Sequence, residues 1–236
     1  MSFVISEFLR DTYPTAVAAA WTGLFGRKKF AIFAEDSENP EKNKSKILKP
    51  ASKMKADKIL VVVDVQRDFF SPEGSLYVKG SETLPAKIAA IALDYDLVVF
   101  TLDWHPATHC SFAAQGGPWP SHCVAYTQGA GLSDEFCEIL SSKGERAILH
   151  FKGSEEGREQ YGAFESLDDS LREAFESCTE IDVCGIAGDY CVKESTRNLL
   201  HYVPASKVSI LTGCTRSIDS GESLEAFILE SGIGRK

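Results

Sequence analysis

The length, composition and charge of the chain are those of a soluble globular protein, and they exclude several classes of partner. With 236 residues, 44% of them hydrophobic and 25% charged, the chain can form one good-sized core and an appendage. A net charge of −9, without a large lysine/arginine cluster, argues against a nucleic-acid partner. Seven scattered cysteines indicate free thiols in a reducing compartment, so we expect a cytoplasmic protein.

A polar segment divides the N-terminal residues from the rest of the chain. Residues 35–55 are rich in charge, proline, asparagine and serine, which is typical of a linker. The apolar stretch before it, residues 16–25, is shorter than a membrane span, which needs about 20 residues. We therefore predict a dispensable extension over residues 1–55 and a core domain over residues 56–236. Alternatively, apolar residues of the extension form an amphipathic cover over the core or a subunit interface.

Short β-branched runs alternate with amphipathic stretches along the core domain. Composition and length predict strands at Lys58–Val63, Leu97–Leu102, Arg146–Phe151, Ile181–Ile186 and Lys207–Leu211. Helical spacing of apolar residues predicts helices at Glu82–Leu93, Leu167–Glu176, Val192–Tyr202 and Glu222–Leu229. Repeated strand–helix units predict an α/β fold with three layers, α/β/α, around a mainly parallel sheet. Ligands of such sheets bind beyond the carboxyl ends of the strands.

Reactive side chains follow four of the predicted strands. They are Asp64 after the first strand, Asp103 and His105 after the second, Lys152 after the third and Cys191 after the fourth. A single aspartate at a strand end is often a structural cap, and a single lysine there often extends its ammonium to solvent. Four such ends in one chain predict a functional site.

A metal site is predicted after the second strand. Asp103 and His105 are two residues apart in an extended run, so both side chains project to the same face. His109 and His122 follow in a loop rich in glycine and proline that can return a further ligand. One carboxylate with two or three imidazoles suits Zn²⁺, Fe²⁺ or Mn²⁺ at a catalytic site. The alternative, strongest for His109, is that a histidine only hydrogen-bonds the loop.

Cys191 is the nucleophile that the sequence predicts. It lies where the fourth strand turns into a helix, so unpaired N–H groups and the helix dipole can stabilise its thiolate. We expect the ammonium of Lys152 to lower the pKa of the thiol further. Asp64 can then accept the thiol proton and pass it to a leaving amine.

Five motifs in this order carry a resemblance to a known family. They are D-x-Q-x-D-F at Asp64–Phe69, D-W-H-P-x-x-H-x-S-F at Asp103–Phe112, W-P-x-H-C-V at Trp119–Val124, F-K-G at Phe151–Gly153 and G-x-A-x-x-Y-C-V at Gly185–Val192. On these motifs the sequence resembles nicotinamidases of the isochorismatase-like hydrolase superfamily. The resemblance implies that superfamily's fold and, for the catalytic triad, Asp64, Lys152 and Cys191.

The resemblance also implies a metal site and a substrate pocket. One divalent ion, zinc before iron or manganese, is expected on Asp103, His105 and His122, with His109 as a further ligand or a partner of metal-bound water. The nicotinamide pocket is expected to be lined by Phe69, Trp119 and Tyr161. The N–H groups of Ala187 and Cys191 match the oxyanion hole, with a cis peptide between Ile186 and Ala187. Tyr126 departs from the pattern, because relatives often have glycine there.

The activity implied by the resemblance is hydrolysis of nicotinamide to nicotinic acid and ammonia through a cysteine thioester, in NAD salvage. The expected partner is the small molecule nicotinamide, without nucleic acid or membrane, and a homo-oligomer is left open. Two alternatives remain at this point. One is another amidohydrolase or isochorismatase-type hydrolase of the superfamily, and the other is a non-catalytic binding protein on the same fold.

Overall fold

Six strands pair side by side in one parallel sheet in a computed structural model of the chain, which describes residues 55–236. The strands are β1 (Lys58–Val63), β2 (Leu97–Asp103), β3 (Ala147–Lys152), β4 (Glu180–Ile186), β5 (Val208–Arg216) and β6 (Gly234–Arg235). Their order in the sheet is β3-β2-β1-β4-β5-β6, and every neighbouring pair is parallel. β1 thus lies inside the sheet, and the later strands extend the sheet first to one edge and then to the other.

Six α-helices connect the strands within this part of the chain. They are α1 (Arg67–Phe70), α2 (Leu84–Ala92), α3 (Cys137–Lys143), α4 (Asp169–Ser177), α5 (Lys193–Leu199) and α6 (Glu222–Ser231). The side chain of Asp168 caps α4 by accepting a hydrogen bond from the amide of Leu171. A π-helical turn, Gly188–Val192, leads from β4 into α5.

Two apolar cores lie on opposite faces of the sheet, as alternation along a strand requires. In β1, Ile59, Val61 and Val63 belong to one core, which includes residues of α4, α5 and α6. Leu60 and Val62 belong to the other core, which includes residues of α2 and α3. The three-layer α/β/α architecture with a parallel sheet is therefore confirmed.

The structure differs from the sequence-based prediction in five elements. β5 continues to Arg216 instead of ending at Leu211, while β6, α1 and α3 were not predicted. The helix expected over Val192–Tyr202 begins one residue later, after the π-helical turn, and ends at Leu199. The strands predicted from Lys58, Leu97, Arg146 and Ile181 are present, with boundaries within one residue.

The predicted extension, residues 1–55, lies outside the described residues except for Lys55, and its separation from the core domain stays a proposal. Lys55 stands next to the sheet, where its carbonyl accepts a hydrogen bond from Arg146. Ala56 is already buried in the core. Between residues 55 and 236, none of the helices is long and apolar enough to span a bilayer.

Candidate active site

The four reactive strand ends come together because β3, β2, β1 and β4 are consecutive in the sheet. Asp103 and Lys152 are register partners at the ends of β2 and β3. Asp64 directly follows β1, and the π-helical turn after β4 carries Cys191. Parallel strands have their carboxyl ends at one edge, so this order alone brings residues far apart in sequence into one site.

Lys152 is the centre of the site. Its Nζ atom lies 2.8 Å from Oδ2 of Asp64, 2.5 Å from Oδ1 of Asp103 and 3.5 Å from Sγ of Cys191. The lysine is 2% exposed, and the two aspartates are buried with it. A buried ammonium needs compensating charge, and the two carboxylates supply it.

The charges of this network follow from its geometry. Burial lowers the pKa of Lys152, but the attraction of Asp103 and Asp64 outweighs burial and holds that pKa well above its usual range. Burial raises the pKa of Asp103, but Lys152 and His105 stabilise its carboxylate and hold the pKa well below its usual range. Lys152 is therefore a cation and Asp103 an anion at neutral pH.

Cys191 and Asp64 lie close together in the site. A carboxylate oxygen of Asp64 and Sγ of Cys191 are within 4.8 Å of each other. Burial raises the pKa of the Cys191 thiol well above its ordinary value, although Lys152 acts in the opposite direction. Lys152 lowers the thiol pKa, as expected, but the net shift is upward, because removal from water costs a thiolate more than one ammonium returns. Burial also raises the pKa of Asp64, which makes its carboxylate a better proton acceptor.

Three of the predicted metal ligands converge. Asp103, His105 and His122 each offer a donor atom, and these atoms lie within 4.8 Å of one another. Nδ1 of His105 lies 2.7 Å from the carbonyl of Gly153, and Nδ1 of His122 lies 2.7 Å from that of Pro120. Since a carbonyl only accepts, both Nδ1 atoms carry the proton, and both Nε2 atoms are left for a metal. This is the usual orientation of metal-binding histidines, so the donor set fits a divalent ion.

Gly153 of the F-K-G motif is required by the close approach of His105. Its φ angle is +65°, and a Cβ atom at this position would lie 2.5 Å from Cε1 of the His105 ring. Any larger residue would displace the ring from the backbone carbonyl that orients it.

His109 lies next to this group but makes other contacts. Its ring stacks on that of His105 with 4.1 Å between centroids. Nδ1 of His109 lies 2.7 Å from Oγ of Ser111, and Nε2 lies 3.0 Å from the carbonyl of Arg158. Because both ring nitrogens are hydrogen-bonded, His109 matches the alternative of a histidine that only hydrogen-bonds the loop. Its predicted role at the metal stays a prediction.

A cavity of about 400 Å³, including space open to solvent, adjoins the thiol. It is lined by the three residues expected in the substrate pocket, Phe69, Trp119 and Tyr161, and by Ala187 of the expected oxyanion hole, together with Asp103, His122 and Cys191. The indole N–H of Trp119 donates to the hydroxyl of Tyr161 at 3.1 Å, which joins two of the walls. The peptide bond between Ile186 and Ala187 is cis, as the resemblance implied.

Several residues of the site were not assigned a role from the sequence. Tyr190 and Ile218 also line the cavity. The buried side chain of Gln66 holds the backbone of Asp103 from both sides, through its Oε1 and Nε2 atoms at 2.8 Å. The hydroxyl of Thr101 donates to Oδ1 of Asp64 at 2.6 Å. Tyr190 and Gln66 belong to the quoted motifs, and this could have indicated a role in the site. No motif includes Ile218 or Thr101.

Tyr126, the departure noted in the sequence, has a φ angle of 66°, a conformation that favours glycine. Its side chain is 89% exposed and contacts Trp104 edge-on. It does not line the cavity beside Cys191. The substitution therefore changes the outer surface of the loop and leaves the pocket walls as they are.

Comparison with known proteins identifies the family. The chain is 32% identical to the nicotinamidase of Escherichia coli over 205 residues, which cover 74% of this chain and 91% of the relative. The chain belongs to the nicotinamidase family. No family model matches it.

Solved nicotinamidase and pyrazinamidase structures agree with this assignment. The pyrazinamidase of Pyrococcus horikoshii in complex with zinc matches with a TM-score of 0.64 and 32% identity, over 76% of this chain and 98% of that one. The yeast nicotinamidase bound to the inhibitor nicotinaldehyde matches with a TM-score of 0.66 and 28% identity, over 75% and 98%. The isochorismatase-like hydrolase fold is thereby confirmed for this nicotinamidase-family chain.

Proposed function

We propose that the protein hydrolyses nicotinamide to nicotinic acid and ammonia, using Asp64, Lys152 and Cys191. The observation that carries the proposal is the cavity itself, since the Cys191 thiol and two of the three clustered metal ligands line the same space. A carboxamide next to a thiol, a proton acceptor and a metal cluster is the arrangement that amide hydrolysis needs. The nicotinamidase relatives support nicotinamide as the amide.

The first half of the reaction transfers the acyl group to Cys191. Asp64 accepts the thiol proton as Sγ attacks the carboxamide carbon, so the negative charge moves from the carboxylate to the carbonyl oxygen. The N–H groups of Ala187 and Cys191 stabilise this oxyanion. Asp64 then returns its proton to the amide nitrogen, the C–N bond breaks, and ammonia leaves a thioester on Cys191.

The second half hydrolyses the thioester. Asp64 accepts a proton from a water molecule as the water oxygen attacks the thioester carbon. The C–S bond then breaks, Cys191 regains the proton from Asp64, and nicotinic acid leaves. Throughout both halves Lys152 stays charged, which offsets the negative charge that Asp64 carries at the start and the end of each half.

Asp103, His105 and His122 are the residues that would hold a divalent ion. When bound, such an ion would supply a Lewis acid that attracts the pyridine nitrogen of the substrate. Zinc is the ion we propose, supported by the His₂Asp donor set and by the zinc complex of the related pyrazinamidase. Phe69, Trp119 and Tyr161 would pack against the ring.

The same observations argue against the two alternatives to nicotinamide hydrolysis. Other amidohydrolases and isochorismatase-type hydrolases of the superfamily have little use for the Asp103, His105 and His122 group. A binding protein without catalysis has no need for a buried ion pair between Lys152 and Asp64 beside a thiol. NAD salvage is the pathway that the nicotinamidase activity serves.

Ammonia release from two matched amides tests the proposed function. We expect the purified, metal-loaded protein to release ammonia from nicotinamide and far less from benzamide, which has the same carboxamide but no ring nitrogen. Elemental analysis of the same sample should find one divalent ion per chain. Equal release from both amides would contradict ring-nitrogen recognition, and no release from either would contradict the function.

A further inference from the structure

One carboxylate oxygen in the active-site cavity has no partner. Oε2 of Glu159 is buried and accepts no hydrogen bond from any residue that the structure describes, between 55 and 236. Glu159 lines the cavity together with Cys191 and Tyr161. An unpaired buried carboxylate oxygen costs free energy, and a ligand in the cavity can offset that cost by supplying the missing donor.

The segment around Glu159 is fixed on both sides. Its other oxygen, Oε1, accepts the amide of Gln160 at 3.1 Å. The side chain of Gln160 accepts the amide of Gly153 at 3.1 Å, and the hydroxyl of Tyr161 accepts the indole N–H of Trp119. The free oxygen of Glu159 is therefore held in place before a ligand arrives, which reduces the entropic cost of binding.

The position of the charge is also visible in its effect on a neighbour. Burial raises the pKa of Tyr161, and the negative charge of Glu159 raises it further. Glu159 thus lies beside the aromatic wall of the pocket. A ligand whose ring packs on that wall presents its polar substituents within reach of the carboxylate.

Nicotinamide has one kind of hydrogen-bond donor, the N–H₂ group of its carboxamide. We infer that Oε2 of Glu159 accepts a hydrogen bond from this nitrogen and thereby selects the amide over the acid. The inference rests on the proposed function. Glu159 would fix the rotation of the carboxamide, leaving its oxygen to face the other side of the pocket. After hydrolysis the same carboxylate repels the nicotinate anion, which has no N–H donor, and so favours product release.

Two variants with three ligands test the inference. Glu159→Ala removes the acceptor, and Glu159→Gln keeps an acceptor but removes the charge. Nicotinaldehyde is the matched ligand, because it retains the ring and a carbonyl that a thiol can attack but has no N–H group. Glu156→Gln, which neutralises an exposed carboxylate of the same segment, is the control for long-range charge.

We expect Glu159→Ala to lower kcat/KM for nicotinamide by about tenfold or more, the usual effect of losing a hydrogen bond to a charged group. Glu159→Gln should lose less, and it should bind nicotinate more tightly than the wild type, seen as a smaller inhibition constant. The inhibition constant of nicotinaldehyde and the metal content should be unchanged in both variants, and Glu156→Gln should behave as wild type.

Three results would overturn the inference. They are unchanged kcat/KM for nicotinamide in Glu159→Ala, a parallel loss of nicotinaldehyde inhibition or of metal, and unchanged nicotinate inhibition in Glu159→Gln. The activity of the wild-type protein distinguishes failure of this inference from failure of the proposed function. If it releases ammonia from nicotinamide, the variants judge Glu159 alone; if it does not, both proposals fail.

Discussion

Lys152 lies within 3.5 Å of Asp64, Asp103 and Cys191. One ammonium is shared between Asp103, one of the three clustered metal-ligand candidates, and Asp64, the proposed proton acceptor for Cys191. Because the ionised carboxylate of Asp103 lies 2.5 Å from Nζ of Lys152, it neutralises much of the positive charge of the lysine. Asp64 is left with a pKa above its ordinary value, as its burial and the charge of Asp103 require. The two aspartates thus differ in pKa because they share one cation unequally.

This pKa shift of Asp64 predicts the acid limb of the pH profile. Asp64 must be unprotonated to accept the thiol proton, so activity is present above its pKa and is lost as pH falls through it. We expect kcat/KM for nicotinamide to fall at a pH above the ordinary aspartate pKa of about 4. Thr101→Val should move this limb to still higher pH, because the Thr101 hydrogen bond lowers the pKa of Asp64. Thr179→Val, at an exposed threonine, is the control. An unchanged limb in Thr101→Val would contradict the assignment of the limb to Asp64.

Metal content distinguishes the three clustered residues from His109. We expect His122→Ala to lose the divalent ion, because one carboxylate and one imidazole are too few donors to retain it. His109→Ala should keep the ion, since both ring nitrogens of His109 are hydrogen-bonded elsewhere. Elemental analysis after dialysis measures both. A full complement of metal in His122→Ala, or its loss in His109→Ala, would reassign the ligands.

The connection after β5 forms part of the cavity. The carboxylate of Asp189, in the π-helical turn before Cys191, accepts the amide N–H groups of Ile218 and Asp219 at 3.0 and 2.9 Å. Ile218 lines the cavity. One buried carboxylate thus joins the turn that carries the nucleophile to the segment that completes the pocket wall.

Asp189→Ala should therefore raise KM for nicotinamide several-fold by releasing Ile218, while the metal content stays that of the wild type. The matched control is Asp168→Ala, which removes the N-cap of α4 away from the site. That change should lower the free energy of unfolding by about 1 kcal/mol and leave KM unchanged. Steady-state kinetics and thermal unfolding of both variants give the comparison. An unaltered KM in Asp189→Ala would show that the pocket wall does not depend on this contact.

Elements were predictable from the sequence where an apolar pattern was long enough to indicate them. β1 and β2 are buried along nearly their whole length, and their β-branched runs were unambiguous. β5 was predicted too short because its second half contains Thr212 and Gly213, which continue the strand past a register shift against β4. α3 has a single fully buried residue, Ile139, and β6 is two residues long, so neither has a pattern that a sequence could reveal.

The topology of the sheet explains why the reactive residues of the site could be predicted better than the residues that line its cavity. Reactive residues stand at strand ends, and the order of parallel strands makes those ends neighbours, so Asp64, Lys152 and Cys191 meet by topology. The walls depend on loop conformations that no periodicity encodes. Ile218 is an example, because its position requires the hydrogen bonds of Asp189. The raised pKa of Cys191 also depends on burial, which strand-end position alone did not reveal.

The N-terminal extension can be tested by truncation. We propose that deletion of residues 1–55 leaves activity and melting temperature close to those of the full chain, because every site residue lies at or beyond Asp64. Residues 35–55 are also too polar to dock firmly. Deletion of residues 1–57 is the contrasting truncation, since Ala56 is buried and the carbonyl of Asp57 accepts the amides of Thr179 and Glu180. An insoluble or inactive protein after the shorter deletion would favour the amphipathic-cover alternative.

The role of Cys191 is tested most directly by measuring the release of ammonia and nicotinic acid from nicotinamide by the wild-type protein and by Cys191→Ala. We expect equal amounts of both products from the wild type and none above background from the variant, with the same metal content and melting behaviour in the two proteins. No other described cysteine lies within 4.8 Å of both the Asp64 and Asp103 carboxylates. Substantial product from Cys191→Ala would contradict the assignment of Cys191 as the nucleophile.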